Sequence, residues 1–156
     1  MHKVGSKIGL FLGSGFGVGY LPLCPGTFGT LIAVPLSVAI NHLAMTNPGL
    51  AAIGLVVLTA IAIQLADHAA RPQDKKDPQV VVIDEIAGFT LANFLTTSWA
   101  GLIIAFGLFR FFDIAKIFPA RRLETLPGGA GIVMDDMVAG LYTFAILRLL
   151  SLAGVV

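Results

Sequence analysis

The feature that most constrains this chain is a long stretch without charged side chains near its start. Residues 8–66 contain no Lys, Arg, Asp or Glu, which is enough for two membrane-spanning helices of roughly 20 residues each and a turn between them. Only 12% of the 156 residues are charged, about half the usual fraction in soluble domains. These values predict one integral membrane domain over residues 1–156. A soluble all-α bundle with a large core is the alternative.

Helix signals divide the uncharged stretch. Thr27 is the predicted N-cap of a helix over residues 28–42, "TNPG" at 46–49 predicts a turn, and the apolar run 49–66 is long enough to span a bilayer. The lysines at the N-terminus precede an apolar run interrupted by glycines. We expect that run to be retained mature sequence, because no cleavage site follows it.

Two basic polar blocks, residues 67–79 and 110–136, bracket a second uncharged stretch at 86–109. Positive charge marks cytoplasmic loops, so we expect both blocks on the cytoplasmic side and 86–109 to enter and leave from that side. Its polar middle, 93–99, predicts a turn between two helices of roughly 11 residues, each about 16 Å long. The prediction is an all-α integral membrane helical bundle with short or re-entrant helices. One full span of 86–109 is the alternative.

Several function classes are excluded by composition and spacing. A net charge of +1 gives no electrostatic basis for binding nucleic acid. The single cysteine, Cys24, excludes a disulfide framework and a cysteine-rich zinc site. It is followed by Thr30 where a cysteine-dependent phosphatase needs arginine, and no D-x-D nucleophile motif is present. Metal-assisted chemistry performed by carboxylates remains.

Carboxylates concentrate beside apolar segments, where an unpaired charge costs several kcal/mol. Because Mg²⁺ prefers oxygen ligands, a bound cation would compensate them, helped by Arg110 and Lys116. The alternative interpretations are helix caps for the two acidic pairs and a surface ion-pair ladder around Arg110. Five of the nine acidic residues are placed in this way: Asp84, Glu85, Asp113, Asp135 and Asp136.

A Pro-Gly-Thr turn at the start of the first long helix offers a second kind of site. Backbone N–H groups at a helix N-terminus suit a phosphate, so Gly26 and Thr27 are candidate phosphate-binding residues. A plain helix cap explains the same residues equally well.

Four segments, in chain order, resemble the phosphatidylglycerophosphatase A family over roughly residues 12–145. They are "CPGTFGT", "DPQVVVIDEIAG", "FRFFDIAKIFP" and "GGAGIVMDDMVAG". Two positions depart from the family pattern. Ile117 stands where relatives often have proline, which affects the local backbone, and Cys24 stands where small residues are common, which argues against a required thiol.

The resemblance implies an all-helical, Mg²⁺-dependent phosphatase of the bacterial inner membrane. Its site would face the cytoplasm and convert phosphatidylglycerophosphate to phosphatidylglycerol in phospholipid biosynthesis. The implied catalytic acids and metal ligands are Asp84, Glu85, Asp113, Asp135 and Asp136, and the implied substrate-binding residues are Gly26, Thr27, Arg110 and Lys116.

Several choices stay open from the sequence. Attack by water, with a carboxylate as the base, and an aspartyl-phosphate intermediate are not separated. The number of metal ions and the oligomeric state are also undetermined. A small non-enzymatic cation carrier that uses the same carboxylates is the alternative function.

Overall fold

The computed structural model describes residues 2–71 and 78–156, and all regular structure in those ranges is helical. Part of the first polar block, including Lys75 and Lys76, lies outside the described residues. The predicted all-α fold is confirmed. The helices are α1 (His2–Gly13), α2 (Pro25–Thr46), α3 (Pro48–Ala70), α4 (Ile83–Ala92), α5 (Trp99–Ala115), α6 (Ala120–Leu123) and α7 (Gly129–Leu152), with a short 3-10 turn at Val18–Tyr20.

Within the described ranges, three helices are long and apolar enough to cross a membrane. They are α2, α3 and α7, with 22, 23 and 24 residues, which correspond to about 33–36 Å of helix against a hydrocarbon core of about 30 Å. Large aliphatic side chains such as Ile53 and Val56 on α3 are exposed. A soluble protein of this size rarely exposes so many of them together, and a membrane helix does so wherever it faces lipid.

The turn predicted at 46–49 is confirmed, but the predicted start of α2 is wrong. Asn47 ends α2 and begins α3, where its Oδ1 accepts a hydrogen bond from the N–H of Leu50 at 2.9 Å. At the other end, α2 begins at Pro25 after Cys24, so Thr27 lies inside the first turn and is not the N-cap. Proline suits a first helical position because its missing N–H needs no partner there.

The stretch 86–109 forms a helical hairpin, as predicted, and the single continuous span is wrong. Helix α4 has 10 residues and ends at Ala92, whereas α5 begins at Trp99. Arg110, near the end of α5, lies 3.8 Å from Glu85 at the start of α4, so the hairpin returns to the end where it enters. With 17 residues, α5 is longer than the predicted 11.

Asn41 on α2 holds the tip of this hairpin. Its Nδ2 donates to the carbonyls of Asn93 and Thr96, each at 2.8 Å, and its Oδ1 accepts from the N–H of Leu95 at 2.8 Å. The side chain of Asn93 in turn donates to Ser37 Oγ at 3.0 Å. Backbone groups that leave a helix inside a membrane need such partners, so these contacts allow α4 to end within the bundle.

Helix α4 forms the centre of the bundle and contacts α2, α3, α5 and α7. Nearly all its side chains are buried, including Phe89, whose ring packs edge-on against Phe109 at 5.8 Å between centroids. The first turns of α2 and α4, the last turn of α5 and the second turn of α7 meet at one end. The functional residues predicted from the sequence lie at this end.

Helices α4 and α7 cross closely, and this crossing depends on two glycines. A Cβ on Gly140 would collide with the backbone carbonyl of Gly88, and a Cβ on Gly88 would lie 2.7 Å from the carbonyl oxygen of Asp136. Neither contact can be relieved by a rotamer change, because the obstructing atoms belong to the backbone. Small residues at such crossings let membrane helices approach closely.

We expect Gly140→Ala to lower the free energy of unfolding by about 1–3 kcal/mol, the usual range for overpacking, because α4 and α7 must separate. Thermal unfolding in detergent measures the effect. Gly107→Ala is the matched control, since a Cβ there meets open space on α5 and alanine is the better helix former. Equal melting temperatures for the two variants would show that the crossing is not tight.

Candidate functional site

A cavity of about 330 Å³ opens at the end of the bundle where α4 begins. Its walls come from α2, α4, α5 and α7 and from the segment before α4. Residues separated by more than 100 positions in the sequence therefore share one site. All nine residues proposed from the sequence line it: Gly26, Thr27, Asp84, Glu85, Arg110, Asp113, Lys116, Asp135 and Asp136.

Three of the carboxylates lie together. One oxygen each from Asp84, Glu85 and Asp136 falls within 4.8 Å of the other two. Asp84 and Glu85 occupy the first turn of α4, where the helix dipole favours negative charge. Asp136 lies in the second turn of α7, too far from its start to act as a cap. The cap interpretation is therefore wrong for the second acidic pair and incomplete for the first, which makes no side-chain capping bond.

These carboxylates fit a divalent cation by their burial and their unsatisfied oxygens. Asp84 and Asp136 are 7% and 3% exposed, so little water screens the repulsion between like charges. Glu85 Oε2 and Asp136 Oδ2 are buried and make no hydrogen bond in the described part of the chain. Such oxygens cost free energy unless a ligand occupies them, and hard cations such as Mg²⁺ take oxygen ligands of this type.

Burial also changes the proton affinity of the cluster. Loss of solvent raises the pKa of Glu85 to about 6, and the charge of Asp113 adds to the increase. A hydrogen bond with Asp84 and the positive charge of Arg110 act in the opposite direction. Without a cation, Glu85 therefore keeps its proton at a pH where an exposed glutamate has lost it.

Two basic side chains, Arg110 and Lys116, pair with the other two predicted acids, Asp113 and Asp135. Arg110 Nη1 lies 2.5 Å from Asp113 Oδ2 and 3.8 Å from Glu85 Oε1. Lys116 Nζ lies 2.8 Å from Asp135 Oδ2 and 3.4 Å from Glu124 Oε1. The five predicted acids thus separate into three that converge on one point and two, Asp113 and Asp135, that pair with cations.

The predicted single face of Arg110, Asp113 and Lys116 holds only in part. Arg110 and Asp113 are on α5, but α5 ends at Ala115 and Lys116 follows it with a left-handed backbone, φ 45° and ψ 57°. The side chain of Lys116 therefore does not have to share the face of α5 that carries Arg110 and Asp113, and its Nζ donates to Asp135 on α7. The interpretation as a surface ion-pair ladder fails for two reasons: the Arg110–Asp113 pair on α5 is only 18% and 15% exposed, and Lys116 pairs with a different helix.

Gly26 allows α2 to approach the acidic cluster. A Cβ at this position would overlap Glu85 Oε1 and lie 3.0 Å from Arg110 Nη1. The N–H of Thr27 already donates to the carbonyl of Cys24 at 2.9 Å. In the structure, this turn therefore lets the backbone of α2 approach Glu85 and Arg110 closely. It contributes less as a set of free N–H donors.

Three further residues that line the cavity were not proposed from the sequence: Gln79, Val81 and Ile114. Gln79 directly precedes "VVVIDEIAG", and its position beside that motif could have indicated that it lies near the site. Ile114 follows Asp113 and is 73% exposed, which places an apolar surface at the cavity entrance. Cys24, the free and exposed cysteine, lies at the entrance too.

Comparison with known proteins assigns the chain to a family. The sequence profile of the family described as phosphatidylglycerophosphatase A matches residues 11–151. Two relatives carry that name, one from Haemophilus influenzae, 36% identical over 84% of this chain and 81% of its own, and one from Escherichia coli K12, 32% identical over 87% and 79%.

A relative from Bacteroides thetaiotaomicron is 35% identical over 91% of this chain and 92% of its own, and is provisionally named a phosphatidylinositol-3-phosphatase. No solved structure gives a significant match. The match with the family profile covers every residue that lines the acidic cavity. The chain belongs to the phosphatidylglycerophosphatase A family.

Proposed function

We propose that this chain is a Mg²⁺-dependent phosphatase that converts phosphatidylglycerophosphate to phosphatidylglycerol in phospholipid biosynthesis. Membership of a phosphatase family supports hydrolysis of a phosphate monoester. The observation that carries the proposal is the convergence of Asp84, Glu85 and Asp136 beside two basic side chains in one cavity. Two of the relatives are named for this substrate, and family membership favours an enzyme over a cation carrier.

The proposed roles follow from the contacts. Asp84, Glu85 and Asp136 would hold Mg²⁺, which supplies a Lewis acid for the phosphate oxygens. Arg110 and Lys116 present positive charge to the same cavity, where they orient the phosphate and offset charge that develops in the transition state. Their pairing with Asp113 and Asp135 fixes where these cations lie.

The attacking group is a separate question. In one route a carboxylate of the cluster accepts a proton from attacking water. In the other an aspartate attacks phosphorus directly, and water then hydrolyses the aspartyl-phosphate. The two routes differ in whether a phosphorylated enzyme accumulates.

The first test is phosphate release from phosphatidylglycerophosphate in detergent micelles, with Mg²⁺ and with a chelator. We expect release to require Mg²⁺, and Asp84→Asn, Glu85→Gln and Asp136→Asn each to lower kcat about a hundredfold or more, because electrostatic stabilisation of this kind is worth that much. Asp67→Asn is the control, since Asp67 pairs with Arg71 and does not line the cavity.

Two outcomes of this assay would contradict the proposal. Near-normal turnover in any two of the three cavity variants would remove the cluster from the reaction. Faster release from phosphatidylinositol 3-phosphate than from phosphatidylglycerophosphate would contradict the proposed headgroup.

A second test uses the raised pKa of Glu85. Between about pH 4.5 and about pH 6 the folded chain holds a proton that the unfolded chain has lost, so this group lowers the stability of the metal-free protein as the pH rises through that window. We therefore expect Mg²⁺ to raise the melting temperature more at about pH 7.5 than at about pH 5, where protons compete with it. Equal shifts at both pH values, or an undiminished shift in Glu85→Gln, would place the cation elsewhere.

We also propose that the protein lies in the bacterial inner membrane with the cavity on the cytoplasmic side. Cys24 is the only cysteine in the chain and is exposed at the cavity entrance. A maleimide that cannot cross membranes should label it in inverted membrane vesicles and leave it unlabelled in intact spheroplasts. Labelling in spheroplasts alone would reverse the orientation.

A further inference from the structure

The bundle around α4 is open along one side. Contacts of α3 with α2 and α7, and of α7 with α5, enclose α4, whereas α2 and α5 have almost no contact in the described part of the chain. The acidic cavity lies at one end of the gap between these two helices, and a second cavity of about 330 Å³ lies farther along it, beside the hairpin tip. We call this gap, with the second cavity at its end, the α2–α5 groove.

One edge of α2 follows the groove from end to end. Thr27 lines the acidic cavity and Val38 lines the second cavity. Val34, which is half-buried against the core, lies between them at spacings of seven and four residues, so all three share one face of the helix.

One edge of α5 forms the opposite wall. Arg110 lines the acidic cavity, Leu102 lines the second cavity, and the half-buried Phe106 lies midway between them. These residues are four positions apart, which again places them on one face. No charged side chain occurs on α2 or in residues 99–109 of α5, so the walls below the acidic cavity are uncharged.

The depth of the second cavity matches one leaflet of a bilayer. Along α2, Val38 is about 16 Å from Thr27, and along α5, Leu102 is about 12 Å from Arg110, at 1.5 Å per residue. Half of a hydrocarbon core of about 30 Å is about 15 Å. A lipid with its headgroup at the carboxylates would therefore reach the second cavity with the methyl ends of its chains.

We propose that the α2–α5 groove binds one acyl chain of the phospholipid substrate, with the methyl end of that chain in the second cavity. This inference rests on the proposed function and adds a binding site for the part of the substrate that does not react. Three properties favour an acyl chain as the occupant: the groove is open laterally to lipid, it begins at the headgroup cavity, and its walls on α2 and residues 99–109 contain no Lys, Arg, Asp or Glu. Polar residues also line the second cavity. Asn41, Asn93, Thr96 and Ser98 make hydrogen bonds within the described part of the chain, and His42 and Thr97 complete the polar part of the lining. The apolar contacts for a chain end come from Val38, Met45, Trp99 and Leu102.

Chain-length dependence tests the proposal. We expect Val38→Trp to fill the second cavity and lower kcat/KM for dipalmitoyl phosphatidylglycerophosphate about tenfold or more, since a misplaced substrate loses at least this much. The dihexanoyl substrate, whose chains end above Val38, should keep its kcat/KM within about twofold. The matched control is Val56→Trp, the same change at an exposed position of α3 outside the groove.

The outcomes separate the two proposals. Equal losses of kcat/KM on both substrates, or no loss on either, would overturn the proposal of an acyl-chain groove. Absence of hydrolysis of both substrates by the unmodified protein would instead overturn the proposed phosphatase function. If Val38→Trp does not fold, photocrosslinking of the unmodified protein replaces it. A phosphatidylglycerol with a diazirine at the chain end should then label peptides containing Val38 or Leu102, and labelling confined to other helices would overturn the groove.

Discussion

The contact on which the site depends is the close crossing of α4 and α7 at Gly88 and Gly140. Each glycine lies one turn after an acidic residue, Asp84 on α4 and Asp136 on α7, and the two helices run in the same direction from the cavity. Bringing the backbones together at the glycines therefore brings the carboxylates together as well. The same lack of side chains that permits tight packing sets the separation of the charged groups.

The site must then tolerate several negative charges away from bulk water. Arg110 and Lys116 meet part of this requirement by pairing with Asp113 and Asp135. These pairs are partly buried, so removing one member would leave the other charge uncompensated where little water reaches it. The paired acids thus keep the Arg110 and Lys116 side chains in place, and Glu85 and Asp136 retain oxygens for a ligand.

The sequence predicted the helical class, the hairpin and the set of residues around the cavity, because charges are so few that their positions are informative. It did not predict the division of the five acids into a converging set and a paired set, since that depends on which helices cross. A repeated signal was present: "DEIAG" and "DMVAG" both place an acid four residues before a glycine. The start of α2 was misplaced because Thr27 looked like a cap while Pro25 was the better first residue. The length of α5 was underestimated because the predicted segment ended with the uncharged stretch at residue 109, whereas the helix continues through Arg110 and Asp113 to Ala115. The role of Asn41 required the tertiary structure.

The hairpin also bears on how the chain enters a membrane. Both ends of the α4–α5 hairpin lie at the cavity end, and residues 86–109, which form most of it, contain no charged side chain. Its insertion therefore moves no ionised group through the hydrocarbon. The turn between α2 and α3, centred on Asn47, is uncharged as well. Membrane insertion of α2, α3 and the hairpin can therefore proceed without the free energy needed to translocate ionised side chains, whereas α7 carries Arg148 near its end. In the orientation proposed above, the segments that assemble the acidic cavity stay on the cytoplasmic side throughout.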